Sequence, residues 1–367
     1  MRVTSVRLCA LVTVLVACGG GEESAPIAAG GRGGTAGAGG AAPGGSGGAT
    51  AGASAAGSSG AGTGGAGAGH GGSAGTTGGA GSGGIAGAGG EGGSSGGADL
   101  AILTFNIRYG TADDGDDAWP LRKELVFGIL RDQAADSVGV QEALIGQLQE
   151  LDAEFPEYER VGVGRNDGEE SGEFSPIFYA SARLEVLDSG TFWFSDTPDV
   201  IGSIDWEATL PRICTWAHFE EKTTGRRYYH YNLHIDHASE LARVNSVALL
   251  MSRVAEREDA VAPVIVTGDF NTGEASLPIQ FMLGAEPIDE AENPLPLLDS
   301  FRVVNPDADP VGTFNGFTGA SDGDKIDYVF SSGLEAIAAE IIRDNDQGRY
   351  PSDHFPVSAR FDGSAWQ

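Results

Sequence analysis

Asp269 and Asn271 close the stretch Val264-Ile265-Val266-Thr267-Gly268-Asp269-Phe270-Asn271, and their spacing is the first sign of chemistry in this chain. Side chains alternate along an extended backbone, so a carboxylate and a carboxamide two residues apart face the same way. The β-prone run ahead of Gly268 reads as a buried strand that delivers both groups to its tip. There Asp269 can meet a hard cation or a proton while Asn271 donates to a phosphoryl oxygen, a division of labour suited to phosphoester hydrolysis. The competing reading is an Asp/Asn turn after a strand.

Other polar groups also stand at the ends of apolar runs. Asn106 interrupts the run Leu100 to Arg108, and Glu142 follows Ser137 to Gln141 either as a metal ligand or as a helix-start carboxylate. His234 lies in Asn232-Leu233-His234-Ile235-Asp236-His237. No Cys pair or third close histidine supports zinc there, which leaves His234 to touch a phosphoryl oxygen or to be a core histidine. Asp327 stands in Lys325-Ile326-Asp327-Tyr328-Val329-Phe330, and Asp353-His354 in Tyr350-Pro351-Ser352-Asp353-His354-Phe355-Pro356-Val357. Asp353 offers an anionic ligand and His354 a titratable base, which Asp327 could orient. Arg108, Arg212 and Arg243 are possible phosphate clamps, because a guanidinium matches two phosphoryl oxygens; ion pairing is the alternative for Arg243. Trp193 and Phe194 either stack on substrate or pack in the core, and Cys214 reads as a small core residue.

These groups need elements to hold them. Leu121, Leu125, Ile129 and Leu130 repeat at helical spacing behind Pro120, and Leu144, Leu148 and Leu151 mark a second helix after the strand Ser137 to Gln141. β-rich stretches follow at Pro176 to Tyr179, Leu184 to Thr191, Ile213 to Phe219 and Arg227 to Asn232; Leu241, Val244, Ala248 and Met251 then mark a helix before Pro263. Strand and helix in alternation is the logic of α/β folds, where strand ends converge on a site.

In chain order, Phe105-Asn106-Ile107-Arg108, Gln141-Glu142, Asn232-Leu233-His234, Gly268-Asp269-Phe270-Asn271, Ile326-Asp327-Tyr328 and Ser352-Asp353-His354 resemble the endonuclease/exonuclease/phosphatase superfamily. Gly190 to Ser195, Pro211-Arg212-Ile213 and Gly312 to Phe317 resemble a bacterial branch related to its deadenylase-like group. The resemblance spans about Leu100 to Phe361. It implies an α/β fold, a four-layer α/β/β/α sandwich of two packed mixed β-sheets flanked by helices, with the active site at one end. It further implies that Glu142 binds Mg²⁺ or Mn²⁺ with Asn106 and Asp353 nearby, and that Asp269 and Asn271 position water and phosphate. By the same resemblance His354, paired with Asp327, acts as base and His234 stabilises the phosphoryl group. The histidine-aspartate-histidine grouping after Leu233 departs from several branches and leaves Asp236 and His237 without a role. The expected activity is a metal-dependent phosphoesterase; a secreted endonuclease or 3′-to-5′ exoribonuclease of the same mechanism and a catalytically dead binding module are the alternatives.

The chain has 367 residues, and its N-terminal quarter is of another kind. Arg2 and Arg7 precede the apolar run Leu8 to Ala17, too short to span a bilayer but right for a signal-peptide core. Leu15-Val16-Ala17-Cys18 resembles the lipobox of bacterial lipoproteins, so residues 1–18 are expected to direct export and lipidation of Cys18, with Gly19 favouring an outer-membrane or surface position. Residues 19–97, almost wholly Gly, Ala, Ser and Thr, read as a flexible tether with a reach of roughly 50 Å. Residues 98–367 are expected to form the catalytic domain. Glu22, Glu23 and Glu91 balance Arg2, Arg7 and Arg32, so the net charge of −30 falls on that domain. Such a surface repels polyanions, which favours a small phosphoester over nucleic acid as substrate; no protein partner is evident.

Overall fold

The computed structural model describes residues 98–364; the expected leader (1–18), Cys18 and the tether (19–97) lie outside them. The chain begins with β1 (Leu100–Asn106), α1 (Trp119–Gln133), β2 (Ser137–Gln141), α2 (Ile145–Glu154), β3 (Tyr158–Val161) and β4 (Ile177–Ala180). It continues through β5 (Leu184–Trp193), β6 (Ile213–Glu221), β7 (Arg227–His234), α3 (Glu240–Ala255), β8 (Val264–Asp269) and α4 (Leu277–Met282). Then come β9 (Leu298–Asp299), α5 (Ser300–Val304), β10 (Asp327–Ser332), β11 (Ala336–Ile341) and β12 (Val357–Phe361).

Two six-stranded sheets result, ordered β11-β12-β1-β2-β4-β3 and β5-β6-β7-β8-β10-β9. Both are mixed: β1 runs parallel to β2 and β7 parallel to β8, each pair bridged by a helix as a parallel crossover requires, while the other pairs are antiparallel. Val126, Phe127, Leu148 and Leu151 of α1 and α2 cover the first sheet through Leu103, Phe105, Val138 and Val140. Val247, Leu250 and Met251 of α3 cover the second through Tyr231, Leu233, Val264 and Val266. Between the sheets Leu100, Ile102 and Ile177 meet Ala217, Phe219, Ile265 and Val329. The expected four-layer sandwich is the fold observed.

The period of two along each strand explains where the site lies. The faces turned between the sheets begin apolar and end polar: Leu100 and Ile102 give way to Thr104 and Asn106 on β1, and Ile265 to Thr267 and Asp269 on β8. Midway, a fully buried hydrogen-bonded chain joins the sheets. Ser137 Oγ lies 2.6 Å from His230 Nδ1, His230 Nε2 lies 2.7 Å from Thr267 Oγ1, and Thr267 Oγ1 donates to Asn232 Oδ1 at 3.0 Å. Gln141 Nε2 donates to the same Asn232 oxygen at 2.7 Å and to Thr104 Oγ1 at 3.0 Å. Because the Thr267 proton is committed to Asn232, His230 must be the neutral tautomer with its proton on Nε2; burial agrees, pushing its imidazole down to about 3. Gly139 makes room for this chain, since a Cβ there would sit 2.2 Å from Thr267 Oγ1.

Two helix faces differ from the expected ones. Leu121 is 56% exposed, and α1 buries the expected Ile129 together with Trp119, Arg122, Val126 and Phe127; Leu241, at 48%, is likewise outside the buried face of α3. In α1 a buried arginine holds a place that spacing had assigned to leucine. Trp193 and Phe194 are buried, with Trp193 Nε1 donating to Arg165 O at 2.7 Å, so they pack in the core and leave no face for substrate. Cys214 is fully buried as expected, and its thiol is pushed well above its ordinary range by that burial. Among the described residues no helix is long and apolar enough to cross a membrane.

Candidate active site

Strand register assembles the site from both sheets. In the second sheet His234 pairs with Asp269 across β7 and β8, and Asp269 with Asp327 across β8 and β10, so three neighbouring strands present three polar groups in a row. In the first, Asn106 pairs with Gln141, which places Glu142 at the next position, and the loop before β12 brings Asp353 and His354 beside them. Glu142, His234, Asp269, Asp353 and His354 line a cavity of about 700 Å³ together with Arg108, Glu173, Arg212 and Asn271, while Asn106 and Asp327 stand behind them.

Asn106 and Asp269 make matching turns. Asn106 Oδ1 accepts from Arg108 N at 3.0 Å, and Asp269 Oδ1 accepts from Asn271 N at 2.9 Å. Each turn commits one side-chain atom to its own backbone and leaves the other to face the opposite sheet. The free pair meets there: Asn106 Nδ2 donates to Asp269 Oδ2 at 3.0 Å and to Glu142 Oε1 at 3.1 Å. Arg108, Glu142 and Asn271 all hold positive φ, at 55°, 63° and 49°, a conformation that non-glycine residues seldom adopt and that turns their side chains into the cavity mouth. The polar interruption at Asn106 thus ties the two sheets together at the reacting end.

Asp269 is the hub. Its Oδ2 lies 3.6 Å from His234 Nε2 and 3.8 Å from His354 Nε2. His354 Nδ1 is 2.9 Å from Asp327 Oδ2, which orients the ring so that Nε2 faces Asp269. Burial, then the neighbouring Asp327, raises the Asp269 carboxyl above its usual range. Burial opposes the His354 proton, but Asp327, Asp269 and Asp353 outweigh it and lift the imidazole to about 10. His234 is driven the other way: burial first, then Arg212 and Arg165, hold it well below its usual value and therefore neutral. The expected His354–Asp327 pair is formed.

The donor set fits a divalent cation. Glu142, His234 and Asp269 each offer one atom within 4.8 Å of the others, as do Asp269, Asp327 and His354. Burial raises both Asp269 and Asp353, and a neighbouring carboxylate adds to each, Asp327 to the first and Glu142 to the second, so negative groups are crowded here. Asn106 braces Glu142 and Asp269 through its amide nitrogen. Asp353 stands outside both groups, with Ser352 Oγ 3.2 Å from one oxygen and Arg108 Nε 3.7 Å from the other.

Arg108 is forked onto Asp114 at 3.0 and 3.2 Å, while Arg212 Nη2 lies 2.9 Å from His237 Nδ1 and its Nε 3.6 Å from Asp236 Oδ2. Arg212 Nη1 is buried without a partner among the described residues and belongs to a residue that lines the cavity. Asp236 Oδ1 accepts from Ala238 N and Ser239 N at the start of α3, and Arg243 donates to Asp236 O, so both serve the loop.

Sequence reasoning missed two residues that hold the site together. Arg122, fully buried, donates to the carbonyls of Ile107, Arg108, Asp117 and Pro351, stapling the loops that carry Arg108 and Asp353. Its signal was a charge on the apolar face of α1. Arg165 forks onto Glu173 at 2.7 Å through both terminal nitrogens and fixes a carboxylate in the cavity wall; its glycine-rich loop has no periodicity that could have marked it.

A model of the endonuclease/exonuclease/phosphatase family matches residues 103–354. Among solved structures, an endonuclease/exonuclease/phosphatase from Bacteroides vulgatus is 35% identical, with a TM-score of 0.66, over 72% of this chain and 99% of its own. A mannosyl-6-phosphatase from Bacteroides thetaiotaomicron is 32% identical, with a TM-score of 0.63, over 71% of this chain and 99% of its own. The CCR4-Not complex 3′-5′-exoribonuclease subunit Ccr4 of Phaeosphaeria nodorum is 28% identical over 168 residues, 41% of this chain. The chain spans less than two thirds of the length of the curated relatives it matches, 28% in the case of that subunit.

Proposed function

Because the chain belongs to the endonuclease/exonuclease/phosphatase family, hydrolases of phosphoester bonds, we propose that it is a divalent-cation-dependent phosphoesterase acting on a small phosphoester. The observation that carries this reading is the convergence of both sheets on Asp269, with Glu142 on one side of it and the His354–Asp327 pair on the other. Glu142 and Asp269 would hold Mg²⁺ or Mn²⁺, which supplies charge neutralisation for the phosphoryl oxygens and offsets the pull of Asp269 on the His354 proton. Neutral His234 and Arg212 Nη1, unpartnered among the described residues, donate to phosphoryl oxygens, and Asn271, whose Nδ2 donates to Ile235 O at 3.1 Å, braces the segment that follows His234. His354 Nε2 takes a proton from water as the water oxygen attacks phosphorus, and Asp327 stabilises the imidazolium formed; the ester P–O bond breaks to release the alcohol. Asp353 balances Arg108 at the edge of the site.

A small substrate, such as a sugar phosphate or nucleotide, suits a domain that carries the full net charge of −30, and the mannosyl-6-phosphatase is a relative at 32% identity. The fungal exoribonuclease subunit supports a nuclease as the second reading. With Mg²⁺ at moderate salt and matched phosphate concentration, kcat/KM on mannose 6-phosphate or a nucleotide is expected to exceed that on duplex DNA. Efficient cleavage of duplex DNA with weak action on every small phosphoester would reverse the ranking.

For the residues outside the described ones, the reading is an exported lipoprotein anchored through Cys18. Cys18→Ser is expected to move the mature protein from the membrane fraction to a soluble one, whereas wild-type protein that is already fully soluble outside the cell would remove the anchor.

A further inference from the structure

We propose that Thr313 is a positioning residue for the Asp327–His354 pair, acting through its hydroxyl. This rests on the phosphoesterase reading only for its kinetic consequence. Thr313 is fully buried. Its Oγ1 accepts two backbone N–H groups, from Ile326 at 2.9 Å and from Asp327 at 3.1 Å, at the entry to β10. Its backbone ties the same two segments: Thr313 N donates to Asp324 O at 3.2 Å, and Thr313 O accepts from Phe355 N at 2.7 Å. The next residues continue the clasp, with Asn315 N and Gly316 N donating to Asp353 O at 2.7 and 3.1 Å and Asn315 Nδ2 donating to Ser352 O at 3.2 Å.

The geometry has a direct meaning. The N–H groups of Ile326 and Asp327 stand at the entry to β10, where the Ile326 carbonyl accepts from Phe270 N of the segment after β8 and both N–H groups turn to Thr313. The Thr313 hydroxyl supplies the missing acceptor for both and so fixes the backbone from which the Asp327 carboxylate projects. The same residue, through its carbonyl, holds the backbone next to His354. One residue, by its hydroxyl on one side and its carbonyl on the other, therefore sets the separation of a carboxylate and an imidazole that lie 2.9 Å apart. Asp327 Oδ1 is buried without a partner among the described residues, so the orientation of this carboxylate rests on its backbone and on Oδ2 against His354 Nδ1. Orientation at this level decides turnover, because a small misplacement of a reacting group costs rate without altering binding.

The test compares full-length wild type with Thr313→Val, which keeps the shape and removes the acceptor, and with Thr313→Ser, which keeps the acceptor. Kinetics with Mg²⁺ are expected to show kcat lower by about 10- to 100-fold in Thr313→Val at unchanged KM, and near wild type in Thr313→Ser. A second readout needs no activity: the downfield proton resonance of the His354 Nδ1–H···Asp327 hydrogen bond, identified by its loss in His354→Gln, should shift or broaden in Thr313→Val and persist in Thr313→Ser. Thr313→Ala replaces Thr313→Val in both measurements if the latter does not fold. An unmoved resonance with kcat within twofold of wild type overturns the proposal, as does a loss that Thr313→Ser fails to restore. If wild type hydrolyses no phosphoester while the resonance responds as stated, the positioning role stands and the proposed function fails.

Discussion

Replacing Asp327 by Asn removes the strongest of the groups that hold the His354 proton against the opposing effect of burial. The expected outcome is a lower His354 pKa, read by NMR titration of its ring protons; an unchanged titration would show that Asp269 and Asp353 suffice. The sign for stability follows from the raised value. Below the unfolded value of about 6.5 the stabilising contribution is fully present, and it is lost as pH rises through about 10. Glu142→Gln tests the cation site with little change of shape, because the new amide oxygen can still accept from Asn106 Nδ2, and only the bond from Tyr109 N to Oε2 is lost. Thermal unfolding should stay close to wild type while turnover falls by at least about 100-fold, beyond what loss of an outer partner of a metal ligand costs. EDTA should abolish activity and added Mg²⁺ restore it; full turnover after exhaustive chelation would exclude the cation. At this scale Asn106, Glu142, His234, Asp269, Asp327 and His354 were legible because each breaks an apolar run at a strand end. Arg122, Arg165 and Thr313 were not, since their work is done on backbone groups or partners that only the folded chain brings near.

The strands differ in how plainly the sequence announces them. β1, β2, β7 and β8 are central, covered on both faces, and their apolar runs are continuous enough to read. β3, β9 and β11 had no such signal: they are sheet edges, half-exposed, and their residues need satisfy only one neighbour. Nor could the sequence show which strands face each other across the sandwich, which the Ser137–His230–Thr267–Asn232–Gln141 chain settles in the fold. That chain has a pH signature. His230 is held down to about 3, so its contribution is fully present above about 6.5 and is lost as pH falls from there toward 3. Urea unfolding at pH 7 and pH 4 should show a loss in wild type that His230→Gln largely removes; an equal loss in both would assign the acid sensitivity to other groups. Gly139→Ala places a methyl against Thr267 and Asn232 and is expected to cost about 1–3 kcal/mol, seen as a lower unfolding midpoint.

Over the whole molecule, composition and periodicity established an α/β domain of one piece, whereas the two-sheet arrangement came only from the ordered motifs and their resemblance. The reason is topological. β5 to β10 form one sheet from a continuous stretch, but the other is closed by β11 and β12 returning from the far end of the chain to pair beside β1. Local patterns carry no mark of that return. Net charge acts at this scale too. For a domain of −30, added salt screens repulsion, so the rate on duplex DNA relative to a small phosphoester should rise from low to moderate ionic strength. A steep fall would reveal a basic groove releasing counterions.

The pairing of Leu100 with Phe361 puts both ends of the described chain side by side, while β1 runs from there to Asn106 behind the cavity, about 20 Å away at the usual rise per residue. Handles belong at that shared end. A bead or a sensor surface attached through residues beside Leu100 or beside Phe361 stands off the cavity, and both ways of mounting should give the same turnover.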